Sequence, residues 1–553
     1  MSVDGGERYF DSCFARFLGE RSALTGPARD CFEGLVRQLS EAMAAGHSCL
    51  PVTQADAVIL RASPLVSDGR IPAPLVLCGD RLYLHRYHRY ESRLAEQLAR
   101  LAAIEHDIGL MQPDIVACFG PDRGEVDWQR RAAEVSLARS LAIISGGPGT
   151  GKTTTVVRII GLLIQMLGKG VRIALAAPTG KAAMRLTESI GESLAGLAFP
   201  AEVLATIPTS ASTLHRLLGV RRHRPDFRCD HDNPLPCDVV VVDEASMVDL
   251  ALMSKLVDAL GGGTRLILLG DKDQLASVES GAVLADCIRS LPDNTVELRK
   301  SFRFDRSIKT LAQAVNRGDG NAAWQLLAGS DHGNVGLLPR YLEVVGPGYC
   351  AYMEVVKRHQ QEGMAAVFRK FSQFRVLCAI RRGGRGVLAV NAQVERFLKL
   401  KGYDTSTDPW YLGRPVMVTA NDYSLELFNG DVGICLPDPG DGTMKVWFER
   451  SDGELMGCLP YRLPPCETVF AMTVHKSQGS EFAAVVVILP AEENPLLNRQ
   501  LVYTAVTRAK ESVQIVASKS ILVYALQSDY PRSSGLADRL RNAVPTPGSM
   551  GSL

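Results

Sequence analysis

No run of 18 apolar residues occurs in the 553-residue chain, so no membrane-spanning helix is expected. No CxxC pair occurs among its 13 cysteines, which argues for reduced thiols and against a framework of bridges. Net charge is nearly absent: 61 Lys and Arg stand against 60 Asp and Glu, leaving +1. A surface for polyanions must therefore be local. No repeat of solenoid period is visible, and no carboxylate cluster suits a two-metal nuclease centre. The opening residues, MSVDGGERYF, lead into no apolar stretch, so no signal peptide is expected and the cytoplasm is the expected compartment. What is present is a globular composition, 46% hydrophobic and 22% charged. At roughly 150 residues per domain the length suggests three or four domains.

Residues 1–115 read as a mixed α/β module. Phe32, Leu35, Leu39 and Met43 share one helical face, and Leu75–Leu84 reads as a hairpin turning at Gly79-Asp80. A charged amphipathic helix is expected over 90–103. From about residue 127 the texture changes. LAIIS, VRIALAAP, DVVVVDEAS and TRLILLGD are near-continuous apolar runs that end in polar residues. Such runs, separated by helices, predict a parallel sheet covered on both faces, with ligands at the carboxyl ends of its strands. RVLCAI, FAMTVH, AAVVVIL and SVQIVAS predict a second layer of the same kind. The expected organisation is α/β: one parallel-sheet domain over 116–340, and a second over 341–405 and 466–540. A small β-barrel of short strands and Gly/Pro/Asp turns is inserted at 406–465, and a disordered tail is expected over 541–553.

Gly146-Gly147-Pro148-Gly149-Thr150-Gly151-Lys152-Thr153 fits G-x-x-x-x-G-K-T between a strand and a helix, with Thr154 next in the helix. The glycines let backbone N–H groups wrap a triphosphate, and the helix start adds its positive end. Lys152 would reach the β and γ phosphates, and Thr153 would ligand Mg²⁺. Asp243, ending the strand VVVV, would hold Mg²⁺ through water, and Glu244 would polarise an attacking water. A Gly-rich turn or an acidic helix cap are the bland alternatives; motif and context together disfavour them. Gln129, opening a helix before the first strand, has the amide that an adenine edge needs, although a surface Gln is the commoner reading.

GGPGTGKT, APTGKAA, STLHRLLG, VVDEASMVD, LLGDKDQLASVESG, LRKSFRF, MTVHKSQGSEF and VYTAVTRAK occur in that order. This set resembles superfamily 1 helicases of the 5′→3′ branch and, more narrowly, the RecD family, the α subunits of bacterial RecBCD enzymes. The resemblance covers roughly 110–520 and reaches more weakly into the N-terminal module through AGHSCLPV and LCGDRLYLHRYHRYE. It implies two RecA-like domains, a small inserted SH3-like β-barrel and an N-terminal docking domain. It also implies an ATP-dependent 5′→3′ DNA helicase that works beside RecB-like and RecC-like subunits on DNA ends.

Residue by residue, the resemblance makes Gln274 a γ-phosphate sensor and Arg303 and Arg508 arginine fingers. Thr179, Lys181, His215, Thr473, His475 and Ser477 become DNA contacts; caps and surface ion pairs are the competing readings of these residue types. The segment 220–236 has the length of the family's strand-separating pin. His223, Cys229, His231 and Cys237 fit no common zinc spacing. Local charge favours nucleic acid: six Lys and Arg face one acid between Cys378 and Lys401, and five Arg face two Asp between Leu214 and His231. The rival readings are a freestanding helicase of the same branch, disfavoured by the short N-terminal region, and a phosphate-loop ATPase that switches conformation without moving a strand.

Overall fold

In the computed structural model, the described residues are 3–543, apart from 121–123, 125, 195, 222–223, 225, 300–305, 330–332, 406–407, 423, 451–452 and 530; side chains are described from residue 9 onward. Two parallel sheets form its centre. The first runs Thr295–Glu297, Leu141–Ser145, Arg265–Gly270, Val239–Val242, Ile173–Ala177, Ser212–Thr213. The second runs Val335–Leu337, Ala509–Val516, Phe482–Ile488, Phe374–Cys378, Ala471–Thr473. Every pairing in both is parallel.

The strands are apolar throughout because both faces are covered. In the first sheet the two-residue side-chain period divides them. Ile143, Val240, Val242, Leu266 and Leu268 enter one core; Ile144, Val239, Val241, Ile267 and Leu269 enter the other. Helices Trp128–Ala138, Lys152–Leu167 and Gly180–Leu194 cover the second face. Helix His85–Ala103 covers the first, through Leu94, Leu98 and Leu101, together with Leu250–Asp258, Val283–Ser290 and Leu536–Ala543.

That placement moves the boundary expected at 115. The helix from His85 is a wall of the first parallel-sheet domain, so the residues before it close on a core of their own, built from Leu18, Phe32, Leu35, Leu39, Leu60, Leu75 and Leu82. Its four-stranded sheet contains the Leu75–Cys78/Arg81–Leu84 hairpin. Gly79 takes φ 61° at the turn, which glycine tolerates without strain.

The boundary expected at 340 moves upstream. Helices Arg306–Asn316 and Gly320–Ala328 pack through Ile308, Leu311, Val315 and Leu327 into the core of the second sheet. The C-terminal helix Leu536–Ala543 returns to the first domain, so the second does not extend to 540. Residues 541–543 are helical, and the rest of the expected tail lies outside the described residues.

Within the second domain, Leu455–Cys458, Met444–Glu449, Val432–Pro437, Pro415–Val418 and Cys466–Thr468 form an antiparallel sheet. Val416, Val418, Cys435, Val446 and Phe448 give it a separate core. Its last strand passes the expected end at 465, because Cys466–Thr468 pairs with Pro415–Val418.

Candidate functional site

Leu141–Ser145 ends beside Arg265–Gly270, with Ser145 opposite Gly270, and the chain then turns into the glycine loop. Gly151 holds φ 81°, and a Cβ there would lie 2.6 Å from Gln129 Nε2, so the loop closes only on glycine at this position. Gln129 Nε2 donates to the Thr150 carbonyl at 3.4 Å. Lys152 Nζ donates to the carbonyls of Gly146 at 2.6 Å and Gly147 at 3.2 Å, which points the ammonium into the cradle. The next two strand ends in the sheet supply acids. Burial and neighbouring Glu244 push the Asp243 carboxyl up to about 6, against the pull of Lys152. Asp243 Oδ1 accepts from the Glu244 N–H at 2.9 Å. Glu244 itself holds φ 50°, a left-handed backbone that costs a residue with a side chain about 1 kcal/mol. Strain of this kind concentrates where a side chain must be aimed.

The second domain completes the site from above. Arg508, 2% exposed, donates through Nη2 to Gln274 Oε1 at 2.5 Å, through Nη1 to the Ser480 carbonyl at 3.1 Å and through Nε to the Thr504 carbonyl at 3.2 Å. All three acceptors are neutral. Burial pulls its pKa down while Glu244, Glu481 and Asp271 hold the charge in place. Gln274 Nε2 donates to Asp271 Oδ2 at 3.1 Å, and Tyr503 Oη donates to the same oxygen at 3.2 Å. A Cβ on Gly147 would sit 3.0 Å from Tyr503 Oη, so this hydroxyl overhangs the glycine loop.

Asp271 and Tyr503 belong to this constellation and were not anticipated. Asp271 had a readable signal, since it ends an apolar strand as Asp243 does; Tyr503 had none. The expected finger Arg303 lies outside the described residues. Amides, one ammonium, one buried guanidinium and a desolvated carboxylate face one cleft. That set has the chemistry a polyphosphate with a hard cation requires.

The expected strand-binding residues behave unequally. Segments 179–183 and 475–479 do meet: a Cβ on Gly479 would touch Ala182 at 3.4 Å, and Arg185 Nη1 donates to the Gly479 carbonyl at 3.0 Å. Thr179 Oγ1 accepts from the Ala182 N–H at 3.2 Å, and Thr473 Oγ1 from the Lys476 N–H at 3.4 Å, so both hydroxyls cap local turns. Ser477 is fully buried and donates to the Val474 carbonyl at 2.7 Å, which removes its side chain from any channel wall. Lys181 is pushed down to about 7 by burial and by the nearby Arg375, Arg185 and Arg508. Half-buried His475 is lowered by burial and by Arg532. His215 is exposed, its ring edge-on to Phe227 at 5.7 Å.

In the segment considered for a pin, Val220 bridges Phe227. Residues 222–223 and 225, including His223 of the cluster weighed for zinc, lie outside the described residues.

A family model described as an AAA domain matches residues 129–280, and one described as a UvrD-like helicase C-terminal domain matches 468–516. The chain is 43% identical over 498 residues to the RecBCD enzyme subunit RecD of Mycolicibacterium smegmatis, covering 88% of this chain and 86% of that protein. It is 30% identical over 522 residues to the ATP-dependent RecD2 DNA helicase of Deinococcus radiodurans, covering 90% of this chain and 67% of that protein. Among solved structures, Bacteroides Pif1 bound to ssDNA is similar with a TM-score of 0.38 and 17% identity, over 72% of this chain and 93% of that one.

Proposed function

The chain belongs to the RecD family, and from that membership we propose that it is an ATP-dependent 5′→3′ DNA helicase, the RecD-type subunit of a RecBCD-type complex acting on DNA ends. The observation that carries this reading is the Arg508–Gln274 contact. It joins the second parallel domain to the first directly above the glycine loop, so hydrolysis at the loop bears on how the two domains sit together.

In this reading Gly146–Thr154 cradle the phosphates, Gln129 meets the adenine edge and Lys152 neutralises the β and γ oxygens. Thr153 and Asp243 would hold Mg²⁺, which would neutralise phosphate charge. The desolvated Asp243 carboxyl beside Lys152 is a hard-oxygen donor suited to that ion. Glu244 orients and deprotonates the attacking water. Gln274 reads the γ-phosphate, and Arg508 and Arg303 bear on the charge that spreads during transfer. Lys181, His475, His215, Thr179 and Thr473, with backbone amides near Ser477, line a sequence-neutral strand track.

We read the inserted sheet as an SH3-like barrel, the segment 220–236 as the pin, and the module before residue 85 as the docking face for RecB-like and RecC-like subunits. The full ordered set of motor motifs in one chain favours strand movement over a mere conformational switch, and 43% identity to a RecD subunit against 30% to a RecD2 helicase favours a complex over a lone motor. The test is ATP hydrolysis with and without single-stranded DNA, paired with co-purification at native expression. A rate indifferent to DNA would end the motor reading, and a chain that purifies alone would end the subunit reading.

A further inference from the structure

After helix Lys519–Gln527 the chain leaves the second domain and runs back across the first as a strap, ending in helix Leu536–Ala543. Arg532 lies in the middle of this strap. Its guanidinium gathers three backbone carbonyls of one loop: Ser277 at 2.5 Å, Glu279 at 2.6 Å and Gly281 at 2.9 Å. That loop is the continuation of Gln274.

The near end of the same segment is held by the body of the second domain. Thr504 Oγ1 accepts from the Leu275 N–H at 2.9 Å, Gln478 Nε2 donates to the Leu275 carbonyl at 2.9 Å, and Arg508 holds Gln274. Residues 274–281 are therefore gripped at both ends by groups from the C-terminal half. They rest on the N-terminal module, where the Gly281 N–H donates to the Gly46 carbonyl at 3.0 Å.

The strap is itself fixed. The Ser533 N–H donates to His47 Nδ1 at 2.8 Å, and the Ser48 N–H donates to the Ser533 carbonyl at 3.0 Å. Fully buried Glu91 accepts from Ser48 Oγ at 2.5 Å and from the Gly535 N–H at 3.2 Å. A planar five-donor fork is the side chain that can hold three carbonyls at once, and lysine holds fewer in a fixed geometry.

We infer that Arg532 is a positioning residue of the motor: from a strap tied to the N-terminal module it holds the far end of the loop after Gln274, while the second domain holds the near end, so that the loop keeps Gln274 in place during ATP turnover. Among the described residues Arg532 makes no hydrogen bond to the nucleotide-site or strand-track side chains, and beyond its charge near His475 it acts through the loop. The inference rests on the helicase reading above.

The test uses the full chain, with whatever subunits accompany it, and an oligo(dT) strand as the probe. Wild type must first show ATP hydrolysis stimulated by the oligonucleotide; if it does not, the helicase reading fails, separately from this inference. Given that stimulation, Arg532→Ala should lower the stimulated kcat by about tenfold or more while the KM for ATP stays within about twofold. Arg532→Lys should recover part of kcat. A purely structural role would lower thermal stability and leave kcat per folded molecule unchanged, and that result overturns the inference. If Arg532→Ala does not fold, Arg532→Lys alone decides: reduced kcat at unchanged KM supports the assignment, and wild-type kcat overturns it.

Discussion

Arg508→Ala is the sharpest probe of the proposed ATP site, because the structure sets the expected size of two separate effects. Removing the guanidinium strands three neutral acceptors, Gln274 Oε1 and the Ser480 and Thr504 carbonyls. At about 1 kcal/mol per lost hydrogen bond the folded chain should lose about 3 kcal/mol, partly regained if water enters the gap. The catalytic loss should be larger. A finger acting on spreading phosphoryl charge contributes about 10³-fold or more to kcat, which is about 4 kcal/mol of barrier. Its contact strengthens only as charge develops, so the KM for ATP should change by no more than about threefold. Steady-state ATP hydrolysis at saturating single-stranded DNA measures kcat, and thermal melting of the same preparation measures folding. Arg508→Lys keeps the charge and loses the fork, and should fall between. A folded Arg508→Ala protein with kcat within about tenfold of wild type, or one whose loss lies wholly in ATP affinity, would refute the finger assignment.

Lys152→Gln should abolish ATP hydrolysis with little loss of stability, because its ammonium bonds to the Gly146 and Gly147 carbonyls and fills no apolar core; a rate within about twofold of wild type would sink the site. Duplexes with a 5′ single-stranded tail should be unwound and those with only a 3′ tail should not, as a gel assay of strand displacement reports. Burial pulls the His88 imidazole down to about 4, below its unfolded value near 6.5, so the stability it contributes is present above about pH 6.5 and is lost as pH falls through this window. Urea melts near pH 7 and near pH 5 should show that loss in wild type and a smaller one in His88→Gln. A chain begun at residue 121 should fail to fold, since it lacks the helix that covers one face of the first sheet; a soluble truncation with a sharp thermal transition would contradict that packing.

The parallel strands were readable because burial on both faces leaves unbroken β-branched runs. LAIIS occupies the strand Leu141–Ser145 residue for residue, and VVVV is the strand Val239–Val242. Three of the four edge strands carried no such signal, the exception being Ala471–Thr473 within FAMTVH. Ser212–Thr213, Thr295–Glu297 and Val335–Leu337 are too short for any periodicity to register. The helix expected from residue 90 begins at His85, because HRYHR is polar and its burial starts only at Glu91. Lys152, Asp243 and Glu244 were legible because spacing along the chain carries their chemistry. The strand-track hydroxyls were not, since the same Thr and Ser types cap turns, and only the fold shows Thr179, Thr473 and Ser477 bonded to their own backbone.

The boundaries expected at 115, 340 and 540 all lie too far downstream, and the cause is physical. Chain order suggests that a module ends where its own motifs end, whereas a parallel sheet must be covered on both faces wherever the covering helices come from. His85–Ala103 lies before the first motor strand in sequence, and Leu536–Ala543 follows the last strand of the second domain, yet both close the same face of the first sheet. Arg81 pairs with Asp538 at 2.6 Å and Arg93 with Asp258 at 2.5 Å across these junctions. A subunit that docks on the N-terminal module therefore presses on a helix that is part of the motor. The same module holds the strap that carries Arg532, so a subunit docked there as proposed would bear on contacts that run to the loop after Gln274.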